Sequence, residues 1–131
     1  LEILEKVYFK LGSAKLQKRS WALLDNVASV INAHPEIELI RVEGHTGSSG
    51  SLKYNMRLSK ARANTVVRYL VGRGKVSKER LMSEGVGPNQ PLVADAKTKE
   101  EMSQNRRVEF RIVEMAEEEE PMVEPNIELD D

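Results

Sequence analysis

The sequence predicts an α/β fold, a two-layer sandwich in which a mixed four-stranded sheet carries helices on one face. Two long segments space their apolar residues as helices do, short segments alternate apolar with charged residues, and Gly or Pro separates them. In order they read β-α-β-α-β-β, which implies parallel pairs joined by right-handed crossovers and a closing antiparallel strand. A chain of 131 residues, 40% hydrophobic, is one domain able to bury a core.

The first strand is expected at Lys6–Phe9, where Val7, Tyr8 and Phe9 precede the Gly12-Ser13 break. A helix is predicted over Lys15–Ala33, with Leu16, Leu23, Leu24, Val27, Ala28 and Ile31 on one face and Trp21 at its edge. Pro35 ends it, because proline disfavours helical geometry in the residue before it. Ile37–Gly44 alternates as a strand, with Ile40 and Val42 opposite Arg41 and Glu43, and Gly44–Ser51 is a Gly/Ser loop. The second helix, about Leu52–Val71, turns Leu58, Ala61, Thr65, Val66, Tyr69 and Leu70 inward and stops at Gly72 and Gly74. Ser77 caps a single turn, Leu81–Val86 is the third strand, and Lys97–Met102 a short helix. The last strand, Asn105–Glu114, sets Val108, Phe110 and Ile112 against Arg107, Glu109 and Arg111. Two strands sharing a charged face predict helices on one side of the sheet and solvent on the other. There Arg41, Glu43, Glu109 and Arg111 are expected to pair across strands.

The net charge of -1 hides a split. Residues 1–113 hold 20 Lys and Arg against 12 Asp and Glu, whereas residues 114–131 hold 9 acidic residues and no basic one. The chain is therefore divided into a basic domain, 1–114, and an acidic tail, 115–131, whose blocked charges and prolines are those of a solvated extension. Met122, Val123, Ile127 and Leu129 interrupt the acids. They suggest a tail that docks on a basic surface, its own or a neighbour's, so self-association through the tail is an expectation. No apolar run approaches the roughly 18–20 residues of a membrane span. The chain starts at Leu1 with no signal peptide and is expected to be a piece of a longer protein, any membrane anchor lying outside it.

Catalysis finds little support. There is no Cys, and the histidines, His34 and His45, fall at opposite ends of one strand without metal-ligand spacing. The glycine-rich loop lacks the Gly-Lys-Ser/Thr of a phosphate loop, and Ser48 and Ser49 lack a nucleophile elbow. No enzyme, no metal and no cofactor are expected. Aromatics at 5% give no stacking platform for nucleic acid.

Val42-Glu43-Gly44-His45-Thr46, followed by Gly50, Asn55, Leu58-Ser59, Arg62-Ala63 and Tyr69-Leu70, resembles the signature of the OmpA C-terminal domain family. Arg80-Leu81, Gly85-Val86-Gly87, Pro91 and Asn105-Arg106-Arg107-Val108-Glu109 extend the likeness, which covers about Val7 to Val113. The resemblance implies a non-catalytic, peptidoglycan-binding module of the Gram-negative periplasm. It would tether an envelope protein to the cell wall through the diaminopimelate residue of the stem peptide, with attachment to the outer membrane through a part not in this chain. The alternative is a degenerate domain serving protein–protein assembly in the envelope without binding peptidoglycan.

Diaminopimelate ends in an ammonium and a carboxylate, so its site calls for an anion and a cation, and the planar fork of Arg suits the carboxylate. The resemblance assigns the carboxylate to Arg62 and Arg106, a loop-to-helix polar contact to Asn55, an apolar wall to Leu58 and a further polar contact to Ser49. The family's Asp for the ammonium is replaced by Gly47, and Lys10 replaces a common acidic residue. Loss of that carboxylate implies weakened binding, a different anionic ligand, or none. Each residue has a plainer reading: Arg62 and Arg106 as solvated surface arginines, Asn55 as the cap of the second helix, and His45 as an imidazole pinning the loop.

Overall fold

The computed structural model describes residues 6–117. Helix α1 (Trp21–Ala33) follows a turn of 3-10 helix at Lys18–Ser20, and strand β1 (Ile37–His45) leads to helix α2 (Leu52–Gly72). Strand β2 (Leu81–Gly87), helix α3 (Lys99–Asn105) and strand β3 (Arg107–Met115) complete the order. The mixed sheet runs β2-β1-β3, parallel between β1 and β2 and antiparallel between β1 and β3. The α/β class, crossovers and closing antiparallel strand are as the sequence predicts.

The strand number is not. Among the described residues the sheet has three strands, and Lys6–Phe9 joins none of them. The Gly12-Ser13 turn folds this segment back on the residues that follow it. Lys10 N–H donates to Lys15 O, Gln17 N–H to Tyr8 O, and Phe9 bridges Leu16. The same pairing draws Lys15 and Leu16 out of the predicted first helix, which begins only at Trp21. The tail beyond residue 117 lies outside the described residues.

The core lies between the sheet and the two long helices, with Leu24, Val27, Ala28 and Ile31 of α1, Ile40 and Val42 of β1, and Ala63, Val66 and Leu70 of α2 buried. The α2 stripe that meets the sheet is Asn55, Ser59, Ala63, Val66 and Leu70, so Leu58, Ala61 and Thr65 stand only half-buried beside it. Close approach decides this rotation. A Cβ on Gly44 would lie 2.1 Å from Ser59 O, and one on Gly85 2.7 Å from Lys60 N. Only small side chains fit where the helix lies on bare strand backbone, and the buried Ser59 hydroxyl accepts from Gly87 N–H and donates to Met56 O. Arg80 ties the other end together, its guanidinium donating to Ile31 O, His34 O and Ile37 O where α1 passes into β1. These contacts satisfy carbonyls that the end of a helix leaves unpaired.

Candidate functional site

The C-terminal end of β1, the start of β3, α2 and the N-terminal segment enclose a cleft of about 260 Å³. Lys6, Arg62, Arg106 and Arg107 bring their charges to it, and among the described residues no Asp or Glu lines it. Arg62 comes from the middle of α2. Its Nε donates to Ser13 O at 2.9 Å and its guanidinium lies 4.9 Å from the centre of the Phe9 ring, which fixes the plane. Arg106 is the residue between α3 and β3 and is exposed. Lys6 donates from Nζ to Ser103 O at 2.6 Å and to Ser103 Oγ at 2.7 Å, holding the N-terminal segment against α3.

Among the described residues, no ion pair involves Lys6, Arg62 or Arg106. Burial and then the neighbouring Arg106 and Arg62 push the Lys6 amine below its ordinary value, and burial followed by Arg106 lowers Arg62. Mutual repulsion thus opposes the charged state of an empty cleft, and an anion would relieve it. Nη1 and Nη2 of Arg62 and the side-chain nitrogens of Arg106 make no hydrogen bond among the described residues. They remain available as donors to a carboxylate.

Beside the cleft the charges are arranged differently. Glu43, 2% exposed, accepts from Arg41 at 2.8 Å and Arg111 at 2.9 Å, and its other contact is His45 Nε2 at 3.1 Å. Arg111 also reaches Glu109 on its own strand at 3.0 Å, and its bond to Glu43 is the cross-strand pairing expected from the sequence. The solvent expected over that face reaches Arg41, Glu84 and Arg111, while Glu43 and His45 are buried beneath them. Burial pushes the Glu43 carboxyl up, but hydrogen bonds from Arg111, Arg41 and His45 outweigh it and hold the group below the usual carboxylate range. Burial lowers His45, opposed by the Glu43 hydrogen bond, so the imidazole is neutral. Its Nε2 meets Glu43 and Glu109, while its Nδ1 is buried without a partner. Glu43, His45 and Glu109 bring three potential metal-ligand atoms within 4.8 Å of one another. The arginines already neutralise both carboxylates, so the group is organised as a salt-bridge network.

Of the residues singled out in the sequence, Arg62 and Arg106 line the cleft together, whereas Gly47, Ser49, Asn55 and Leu58 do not line it. Asn55 is buried, and its amide donates to Ser49 O at 2.8 Å and Gly47 O at 3.4 Å, bracing the loop between β1 and α2. The cap of α2 is Ser51, which accepts from Tyr54 N–H, so the capping role considered for Asn55 falls to its neighbour. Gly47 is free of the left-handed region, and a Cβ built on it meets nothing within 4 Å. Leu58 is half-buried on the flank of α2. Lys6 and Ser103 were not legible as site residues, since their contact spans 97 positions and no local pattern marks it. In the Asn-Arg-Arg run, Asn105 is structural. Its buried amide exchanges two hydrogen bonds with the Val93 backbone and so sets the loop that leads to Arg106.

The molecule is a three-stranded α/β sandwich whose central strand ends at a cationic cleft with no carboxylate partner among the described residues. Its family follows from comparison: residues 8–106 match the model of the OmpA family, and the chain belongs to that family. It is 40% identical over 106 residues to Outer membrane protein A of Bordetella avium, covering 81% of this chain and 53% of that protein. It is 38% identical over 116 residues to the uncharacterized protein YtxE of Bacillus subtilis, covering 86% of this chain and 47% of the relative. The chain thus spans about half the length of these two relatives. The crystal structure of the peptidoglycan-associated lipoprotein from Burkholderia pseudomallei superposes with a TM-score of 0.70 at 29% identity, covering 81% of this chain and 88% of that one. The domain is a non-catalytic module of this family.

Proposed function

We propose that the chain anchors an envelope protein to the cell wall by binding the stem peptide of peptidoglycan in the Lys6/Arg62/Arg106 cleft. The observation that carries this reading is the convergence of three cations without a carboxylate partner among the described residues. Arg62 and Arg106 would take a carboxylate of the diaminopimelate residue through their free donors, the stronger, charge-assisted kind of hydrogen bond. Asn55 would act through the loop it braces, while Gly47, Ser49 and Leu58 stand outside the cleft. The similarity to a lipoprotein named for its association with peptidoglycan supports the wall as partner. The Bordetella relative's name supports a periplasmic place at the outer membrane, reached through parts of the protein outside this sequence.

Sedimentation with purified sacculi tests the reading. The chain should co-sediment at low salt, and Arg106→Ala, at an exposed position, should weaken this ten- to hundredfold, the equivalent of about 1.5–3 kcal/mol for a hydrogen bond to a charged group. A chain that stays in the supernatant would instead favour a domain kept for protein–protein assembly.

A further inference from the structure

We propose that the cleft recognises the carboxylates of the stem peptide and is indifferent or averse to its free ammonium, so that amine-acylated, cross-linked stems bind at least as well as free ones. The inference rests on the stem-peptide reading above and names which chemical state of that ligand the site takes. A diaminopimelate end offers an ammonium beside a carboxylate. In a cross-linked stem that nitrogen is tied up in an amide and carries no charge, while the carboxylate remains.

The cleft meets the two states unequally. Lys6, Arg62 and Arg106 converge on it, and among the described residues no acidic side chain lines it; burial, with Arg106 and Arg62 adding to it, lowers the basicity of Lys6. A further positive charge entering with the ligand would add to their repulsion and find no carboxylate among the described lining residues to offset it. Among the described residues, the acids beside the cleft are already occupied, Glu43 by Arg41 and Arg111, and Glu109 by Arg111 and Arg107. His45, which also lines the cleft, is neutral, and its Nδ1 is buried without a hydrogen-bond partner. The side chain is fully buried beside the cleft and offers no negative charge to an ammonium. Gly47, two residues beyond His45, supplies no side chain, and a Cβ built there meets nothing within 4 Å.

The test is calorimetry on the full chain with two synthetic probes and a control. The probes are a diaminopimelate-containing stem tripeptide with its distal amine free and the same peptide with that amine acetylated; the control is inorganic phosphate. The acetylated peptide should bind as tightly as the free one, or up to about tenfold more tightly, and Arg106→Ala should weaken both alike. Gly47→Asp, in an open position outside the left-handed region, should reverse the order, favouring the free amine by about tenfold or more, the size of one charge-assisted contact. A wild-type preference of tenfold or more for the free amine overturns the inference while leaving the stem-peptide reading standing. If neither peptide binds, or if phosphate binds as tightly as either, the stem-peptide reading falls and the inference falls with it.

Discussion

Two groups of basic side chains meet at the end of β1, and the fold treats them in opposite ways. On the sheet face, Arg41 and Arg111 close on the buried Glu43, and Arg111 and Arg107 share Glu109. In the cleft, Lys6, Arg62 and Arg106 face one another and no carboxylate among the described residues. The neutralised group holds strands together, because a buried carboxylate is tolerable only with its partners in place. The unneutralised group works against the empty fold, since bringing like charges together in a half-buried cleft is unfavourable until an anion arrives. The proposed function therefore assigns stability and binding to different cations a few residues apart.

The largest test of that division is Glu43→Gln. It should cost about 2–3 kcal/mol in chemical denaturation, below the roughly 3–5 kcal/mol of a fully buried pair because both arginines reach solvent. Sacculus binding per folded molecule should not change. Loss of binding at intact stability would erase the distinction. Arg62→Ala probes the boundary between the two groups. Besides weakening binding as Arg106→Ala does, it should lower stability by about 1–2 kcal/mol, because the Ser13 hydrogen bond and the Phe9 contact go with it.

A pH titration of the thermal midpoint sharpens the comparison without mutation. His45, lowered by burial, stays neutral in the fold while the unfolded chain takes up its proton near the ordinary value of 6.5. Stability present above that pH should fall as pH drops below it. Glu43, held below its ordinary value of 4.5, should add a second loss as pH falls further through its folded value. His45→Gln should remove the first decline and spare the second.

The smallest effect concerns the acidic tail. Residue 115 ends β3 opposite Ile37, at the far end of the sheet from the cleft. At about 3.3 Å per residue the nine-residue strand spans roughly 30 Å, so a returning tail needs about nine extended residues. Glu124, Glu128, Asp130 and Asp131 have the reach to screen the cleft in cis, and Glu117–Glu120 do not. Deleting residues 116–131 should raise sacculus binding a few-fold at low salt and not at high salt, where exposed charges are screened. No change at low salt would rule out a self-masking tail.

Periodicity carried the sequence reading where one element buries one face. The alternation Val108-Glu109-Phe110-Arg111 names both faces of β3 before any coordinate, and Leu24, Val27, Ala28 and Ile31 name the buried side of α1. The motif order pointed to the two arginines that do share a cleft, Arg62 and Arg106. The rest depended on contacts between distant parts of the chain. Lys6–Phe9 has the composition of a strand, yet it pairs with its own neighbours because a Gly-Ser turn follows it, and competition between local and distant partners leaves no trace in composition. The rotation of α2 that puts Ser59 rather than Leu58 against the sheet follows from bare backbone at Gly44 and Gly85, which only the assembled layers bring under the helix. The sequence by itself determined the α/β class, the order of the elements and which residues are basic. Which of those charges are neutralised was decided by the tertiary structure, because Glu43 and Arg111, like Lys6 and Ser103, meet only after strands far apart in the chain have paired.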